Sequence, residues 1–262
     1  MANCQLQDGT ILYFEHYGEG KVPLIFLHPP LMGHVVFKYQ RQLAKDFRVI
    51  FYDMRGHGRS ICQETEGDPL EVNRLDLLAL IDHLRLEKVI LVGYSAAGML
   101  AMHFALKYPQ RVAALVLSGG FPKVETWSLK QQFNIGIGLM AADRVSFLSR
   151  MLAYSHKQQF VDFQELYNYG KMANAMIVQR MYACYRDYDC TEHLYKLANL
   201  PTLVLYGQLS RHIRYHHHLF QDYLPRAEIA YINRAFHELP TKKYSIFNQI
   251  VEHFLKRCGY CG

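Results

Sequence analysis

The N-terminus lacks a basic region followed by an apolar stretch; Met1-Ala2-Asn3-Cys4 leads straight into mixed residues. With no secretory signal visible, the expected location is the cytoplasm, where the six cysteines stay reduced. The C-terminal Cys258-Gly259-Tyr260-Cys261 has no second ligand pair at zinc spacing, so neither a metal nor a redox site is expected. Runs of like charge are also missing. The net charge of +6 is dispersed and no nucleic-acid motif accompanies it, so nucleic acid is not an expected partner. Consecutive helical residues point in different directions, so His216-His217-His218 cannot share one ion and reads as a solvated helix. Residues 89–106 do form an eighteen-residue run without formal charge, but glycines, a serine and a change of periodicity interrupt it. That run is a buried strand and helix rather than a membrane span. No cofactor is implied.

What is present is a chain of 262 residues, half of them hydrophobic, long enough for one full core with an added cap. Strand and helix patterns alternate. Residues 4–7 and 11–17 flank Asp8-Gly9 as a hairpin, and 23–27 and 48–52 read as strands. Residues 70–84 read as a helix burying Val72, Leu75, Leu78 and Ile81. A strand at 89–93, a helix at 95–107 and a strand at 112–118 follow. The pattern resumes with strands at 202–206 and 228–232 and helices near 214–223 and 241–256. Such alternation predicts an α/β fold with a doubly wound, mostly parallel sheet and chemistry at the carboxyl ends of its strands.

Two parts, 1–120 and 198–262, form the expected core. Between them, 121–197 reads as helical throughout and rich in Met and aromatic residues, among them Trp127, Phe133, Phe147, Met151, Tyr154, Phe160 and Tyr182. Inserted after the strand at 112–118, this segment is placed to form a lid with an apolar, adaptable inner face.

The segment Val89-Ile90-Leu91-Val92-Gly93-Tyr94-Ser95-Ala96-Ala97-Gly98 carries the chemistry. A β-branched and aliphatic run stops at a small-residue turn holding one serine, then resumes with helical spacing. This is the strand–turn–helix setting of a nucleophile elbow, in which a strained turn exposes the hydroxyl above the sheet. The motif reads G-x-S-x-A-G, with Gly93 and Ala97 as the small flanking residues.

With Tyr52-Asp53-Met54-Arg55-Gly56-His57-Gly58-Arg59-Ser60, which looks like a D-x-R-G-H-G-x-S turn, and Pro201–Gly207 as a returning strand, the chain resembles the α/β-hydrolase superfamily. The likeness is to its small capped esterases and spans essentially the whole chain. It implies that Asp53 and His57 build a structural turn beside the site. His237 follows the last strand, where this fold places its general base, and the order Ser…acid…His also fits. At the acid position, three residues after Gly207, stands Ser210; it can accept a hydrogen bond from an imidazole but offers no charge. The alternative acid position reads Gly119-Gly120, with Glu125 beyond it. For the oxyanion hole, the resemblance implies the N–H of Ala96 and a second donor from the loop His28-Pro29-Pro30-Leu31. That position falls on Pro30, which has no N–H, so Leu31 takes its place if the loop is re-routed.

The resulting expectation is a carboxylesterase acting through Ser95 and His237 on a small or medium apolar ester beneath the lid. The alternative is a weakly active or inactive ligand-binding or regulatory relative, which also admits a protein partner. Ser95 and His237 favour the first reading, Ser210 and Pro30 the second.

Overall fold

A computed structural model of the chain describes residues 2–62 and 66–260; Cys261 of the C-x-x-C lies outside them. Eight strands build one sheet: β1 (Ala2–Gln5), β2 (Ile11–Tyr17), β3 (Leu24–Leu27), β4 (Val49–Tyr52), β5 (Val89–Tyr94), β6 (Val112–Ser118), β7 (Thr202–Gly207) and β8 (Glu228–Ile232). Their spatial order is β1-β2-β4-β3-β5-β6-β7-β8. β2 runs antiparallel to both β1 and β4, and β4 onward is parallel.

The parallel strands are apolar on both faces because both are covered. Ile25, Leu27, Leu91, Leu115, Leu117 and Val204 join one core with α1 (Pro69–His83) and α2 (Ala97–Lys107). Their neighbours Leu24, Phe26, Ile90, Val92 and Val116 join the other, with Phe247, Val251 and Phe254 of the C-terminal helix Tyr244–Arg257. A 3₁₀ segment over His34–Lys45, which the sequence pattern did not reveal, also lies on this second side.

Helix α1 is rotated from the expected face. Leu75 is 51% exposed, whereas Leu70, Asn73, Asp76, Leu77, Leu80 and Ile81 are buried. Asp76 goes inward because it receives two hydrogen bonds from the buried Arg55 guanidinium, at 2.8 and 2.9 Å. A polar pair thus occupies a stripe that hydrophobic periodicity alone assigns to other residues.

Between β6 and β7 come α3 (Trp127–Ala141), α4 (Val145–His156), α5 (Phe160–Gly170), α6 (Ala175–Asp187) and a 3₁₀ turn at Thr191–Leu197. α3 packs on α6 and α4 on α5. Phe133, Met140, Met181 and Tyr185 are buried, but Trp127, Phe147, Met151, Tyr154 and Phe160 remain exposed. The expected helix near 214–223 splits into α7 (Arg211–Arg214) and α8 (His217–Tyr223), and a short α9 (Leu239–Lys242) precedes α10 (Tyr244–Arg257). His216 is buried rather than solvated, because it donates to the Ile213 carbonyl and accepts the Glu125 N–H. Among the described residues no cluster of side chains is arranged to hold a metal ion, and no helix is long and apolar enough to cross a membrane.

Candidate active site

The carboxyl end of β5 turns so sharply that Ser95 takes φ 56°, a left-handed conformation that a side-chain-bearing residue adopts only when its surroundings impose it. Two hydrogen bonds do so: Ser95 N–H donates to Ser118 O, and Gly98 N–H donates to Ser95 O. The turn needs a small residue at 93, where a Cβ would stand 2.7 Å from the Gly98 Cα. Ser95 Oγ is thereby held at the mouth of a pocket, with Ala96 N–H at the start of α2. The first N–H groups of a helix have no intrahelical acceptor, and the helix dipole favours negative charge at that end.

His237, in the loop after β8, brings Nε2 to 2.8 Å from Ser95 Oγ. At that distance a neutral imidazole can take the hydroxyl proton. Its other nitrogen, Nδ1, is buried and has no hydrogen-bond partner among the described residues. Instead the ring edge lies on Gly119, where a Cβ would stand 2.5 Å from Cε1 and 2.6 Å from Nδ1. The Tyr94 ring forms one wall, 5.3 Å between centroids. Burial, with His156 and His212 adding to it, pushes His237 down to about 3.

Neither position considered for the acid supplies one. Ser210 is buried at the start of α7 but makes no hydrogen bond to His237, because the imidazole turns Nδ1 toward the end of β6. Glu125 faces away, 3.3 Å from both Lys123 and His218. The Leu31 N–H, expected as the second oxyanion donor, is donated to His57 Nε2 at 2.9 Å. Leu31 adopts φ 78° in reaching that acceptor, so its N–H is taken by the neighbouring loop rather than offered to the pocket. Pro29, Pro30 and Met32 line the pocket there.

The turn after β4 is a brace. His57 donates from Nδ1 to Arg55 O, and His28 donates to Pro29 O while accepting the Met54 N–H. Burial holds both imidazoles below the ordinary histidine value, His28 at about 3. Asp53 bonds to the N–H and ring of His34 and to the hydroxyl of Tyr169. Neither Asp53 nor His57 lines the Ser95 pocket.

That pocket encloses about 310 Å³ between the sheet and the inserted helices. Leu129, Phe133, Leu148, Met151 and Tyr182 come from the insert and Ile213 from α7; among the described residues no Asp, Glu, Lys or Arg lines it. Two polar residues of the lining, Gln132 of α3 and His156, were not expected from the sequence. His156, at the end of α4, donates to Leu152 O and accepts the Tyr94 hydroxyl at 2.8 Å. Burial lowers it to about 4, so it stays neutral beside His237. Its partner is 62 residues away in the chain, and only the packing of α4 over the elbow brings them together.

A sequence model of the alpha/beta hydrolase fold matches residues 22–144. An AB hydrolase superfamily protein of Bacillus subtilis, YisY, is 29% identical over 224 residues, covering 78% of this chain and 80% of that one. Bromoperoxidase from Bacillus anthracis superposes with a TM-score of 0.87 at 23% identity, covering 97% of this chain and 99% of its own. An esterase from Exiguobacterium antarcticum superposes at 0.86 with 22% identity, covering 97% and 98%. At such identities the two structures speak for the fold, and their different chemistries leave the reaction to be argued from the site.

Proposed function

For this chain, a member of the α/β-hydrolase superfamily, we propose hydrolysis of an uncharged carboxyl ester through an acyl-enzyme on Ser95. The 2.8 Å contact between Ser95 Oγ and His237 Nε2, at a pocket lined by no Asp, Glu, Lys or Arg among the described residues, carries the reading. Oγ attacks the ester carbonyl as its proton passes to Nε2, and the carbonyl π electrons move onto oxygen beside the Ala96 N–H. Collapse breaks the ester C–O bond, and the leaving alkoxide takes the proton back from Nε2. Water, deprotonated by the same nitrogen, then attacks the acyl group and releases the acid and Ser95.

The insert serves as a cap whose apolar residues hold the substrate. A charged acyl group would lose hydration and find no counter-ion, so short acyl and aromatic esters are favoured.

The absent carboxylate beside Nδ1 and the single donor at Ala96 predict slow turnover. Removal of a triad acid lowers kcat by about 10⁴, and loss of one oxyanion donor by about 10²–10³. The same two observations favour the second reading, a ligand-binding protein in which turnover is incidental.

A fluorophosphonate probe tests the first reading. Intact-mass spectrometry should show one adduct, absent in Ser95→Ala and strongly slowed in His237→Ala. No labelling of folded protein, or no turnover of any p-nitrophenyl ester in a panel of neutral acyl groups, favours the binding reading.

A further inference from the structure

α4 is apolar on the wrong side as well as the right one. Its inner residues Val145, Leu148 and Ala153 are buried, as its packing requires. Phe147 and Tyr154, together with Met151, repeat at helical spacing on the opposite face, where Phe147 is 55% and Tyr154 65% exposed. Phe160, at the start of α5, continues the strip at 68% exposure and stacks on Phe163. Solvent-facing aromatics arranged in a row mark an interaction surface more than scattered ones do.

Cations are interleaved with these rings. Lys157 Nζ lies 4.0 Å from the Tyr154 ring centre and 5.8 Å from that of Phe163, and Lys171 lies 4.5 Å from Tyr167. Arg144 and Arg150 flank Phe147 and are exposed. None of these four cations belongs to a salt bridge among the described residues. α4 contains no carboxylate; on α5, Asp162 is buried and Glu165 partly exposed, and both are paired with Lys38. From 144 to 161 the exposed side chains are therefore apolar, neutral polar or positive, with the exposed Asp143 immediately before Arg144 as the acidic edge of the strip.

We propose that the face of α4 and the start of α5 docks on an anionic lipid surface. Aromatic side chains seat at the headgroup level, while lysine and arginine stems run along the rings and carry their charges to lipid phosphates. The strip is continuous with the pocket, because Met151 is both exposed on it and part of the pocket lining. A docked molecule thus presents its pocket to the bilayer, from which an uncharged, lipid-dissolved ligand enters without crossing water. The surface does not depend on the chemistry assigned to Ser95.

Sedimentation of the full-length protein with vesicles tests this. At low salt, phosphatidylglycerol vesicles should carry down most of the protein and phosphatidylcholine vesicles little. The pair Phe147→Ser with Tyr154→Ser, and separately Arg150→Glu with Lys157→Glu, should each weaken binding by about tenfold or more, since apolar area and charge both contribute. Both should give the parental circular dichroism spectrum and urea midpoint, which reports that they fold. Ser95→Ala should bind vesicles as the parent does, so failure of the hydrolase reading leaves this result intact. No sedimentation with phosphatidylglycerol, equal binding to both vesicles, or parental dimers that Phe147→Ser abolishes would each overturn the proposal.

Discussion

His34 and His237 are both enclosed imidazoles, and their surroundings are opposite. His34 Nδ1 lies 2.9 Å from Asp53 Oδ1 and its Nε2 3.5 Å from Glu15 Oε1. Burial alone would lower it, but the hydrogen bonds to Asp53 and Glu15 outweigh burial and raise it to about 9. No carboxylate hydrogen-bonds to His237 among the described residues, and burial lowers it to about 3. The histidine flanked by acids is therefore the structural one, pinning the 34–45 segment to β2 and β4. The one that meets Ser95 has that hydroxyl as its side-chain partner and is otherwise held by packing, between Gly119 and the Tyr94 ring. A charged histidine bound by carboxylates stores stability, and a neutral one held by shape stays available to take a proton.

The largest expected effect comes from filling the space on which His237 rests. Gly119→Ala puts a methyl group where 2.5 Å remains to the ring and does so at φ 59°. The imidazole must move, and kcat should fall by about 10² or more, as misplacement of a catalytic group by 1 Å does. Ester turnover and probe labelling measured beside circular dichroism would check this. Unchanged turnover would mean that His237 is not held by shape, and the contrast with His34 would fail.

A smaller effect, on stability rather than rate, belongs to His34. His34→Ala leaves Asp53 and Glu15 buried with one fewer counter-charge, and should cost about 3–5 kcal/mol in urea unfolding. Probe labelling of Ser95 in the folded variant should persist. The pairing is also pH-dependent. Because the folded value of about 9 lies above the ordinary 6.5, the stabilisation is fully present below pH 6.5 and is lost as pH rises through about 9. Urea titrations at pH 6.5 and pH 10 should differ in that direction for the parent, and the His34-dependent part should vanish in the variant.

The smallest expected effect sharpens the other half. With His237 lowered to about 3, the base is already neutral at pH 5. The ratio kcat/KM for a neutral ester should therefore change less than about twofold between pH 5 and pH 7, since such a profile reports the free enzyme's essential base. An acid limb near 6.5 would show an imidazole in ordinary surroundings.

Residue order by itself determined the alternating sheet, the strand–turn–helix around Ser95 and the position of His237 after the last strand. Each is a local consequence of side-chain size and periodicity: small residues where strand meets helix, aliphatic runs on strands covered on both faces. The inward Asp76 of α1 was not legible, because its partner Arg55 lies on another element. For the same reason residue types pointed to Ser210 and Leu31, neither of which lines the pocket or bonds to His237. Only the tertiary structure decided that His237 turns Nδ1 to Gly119 and that Leu31 gives its N–H to His57. It also decided that His156 reaches Tyr94 and that α4 leaves Phe147 and Tyr154 facing outward. A hydrogen bond between residues far apart in the chain depends on angles and distances of about 3 Å, set by how whole helices pack and not by the identity of either residue.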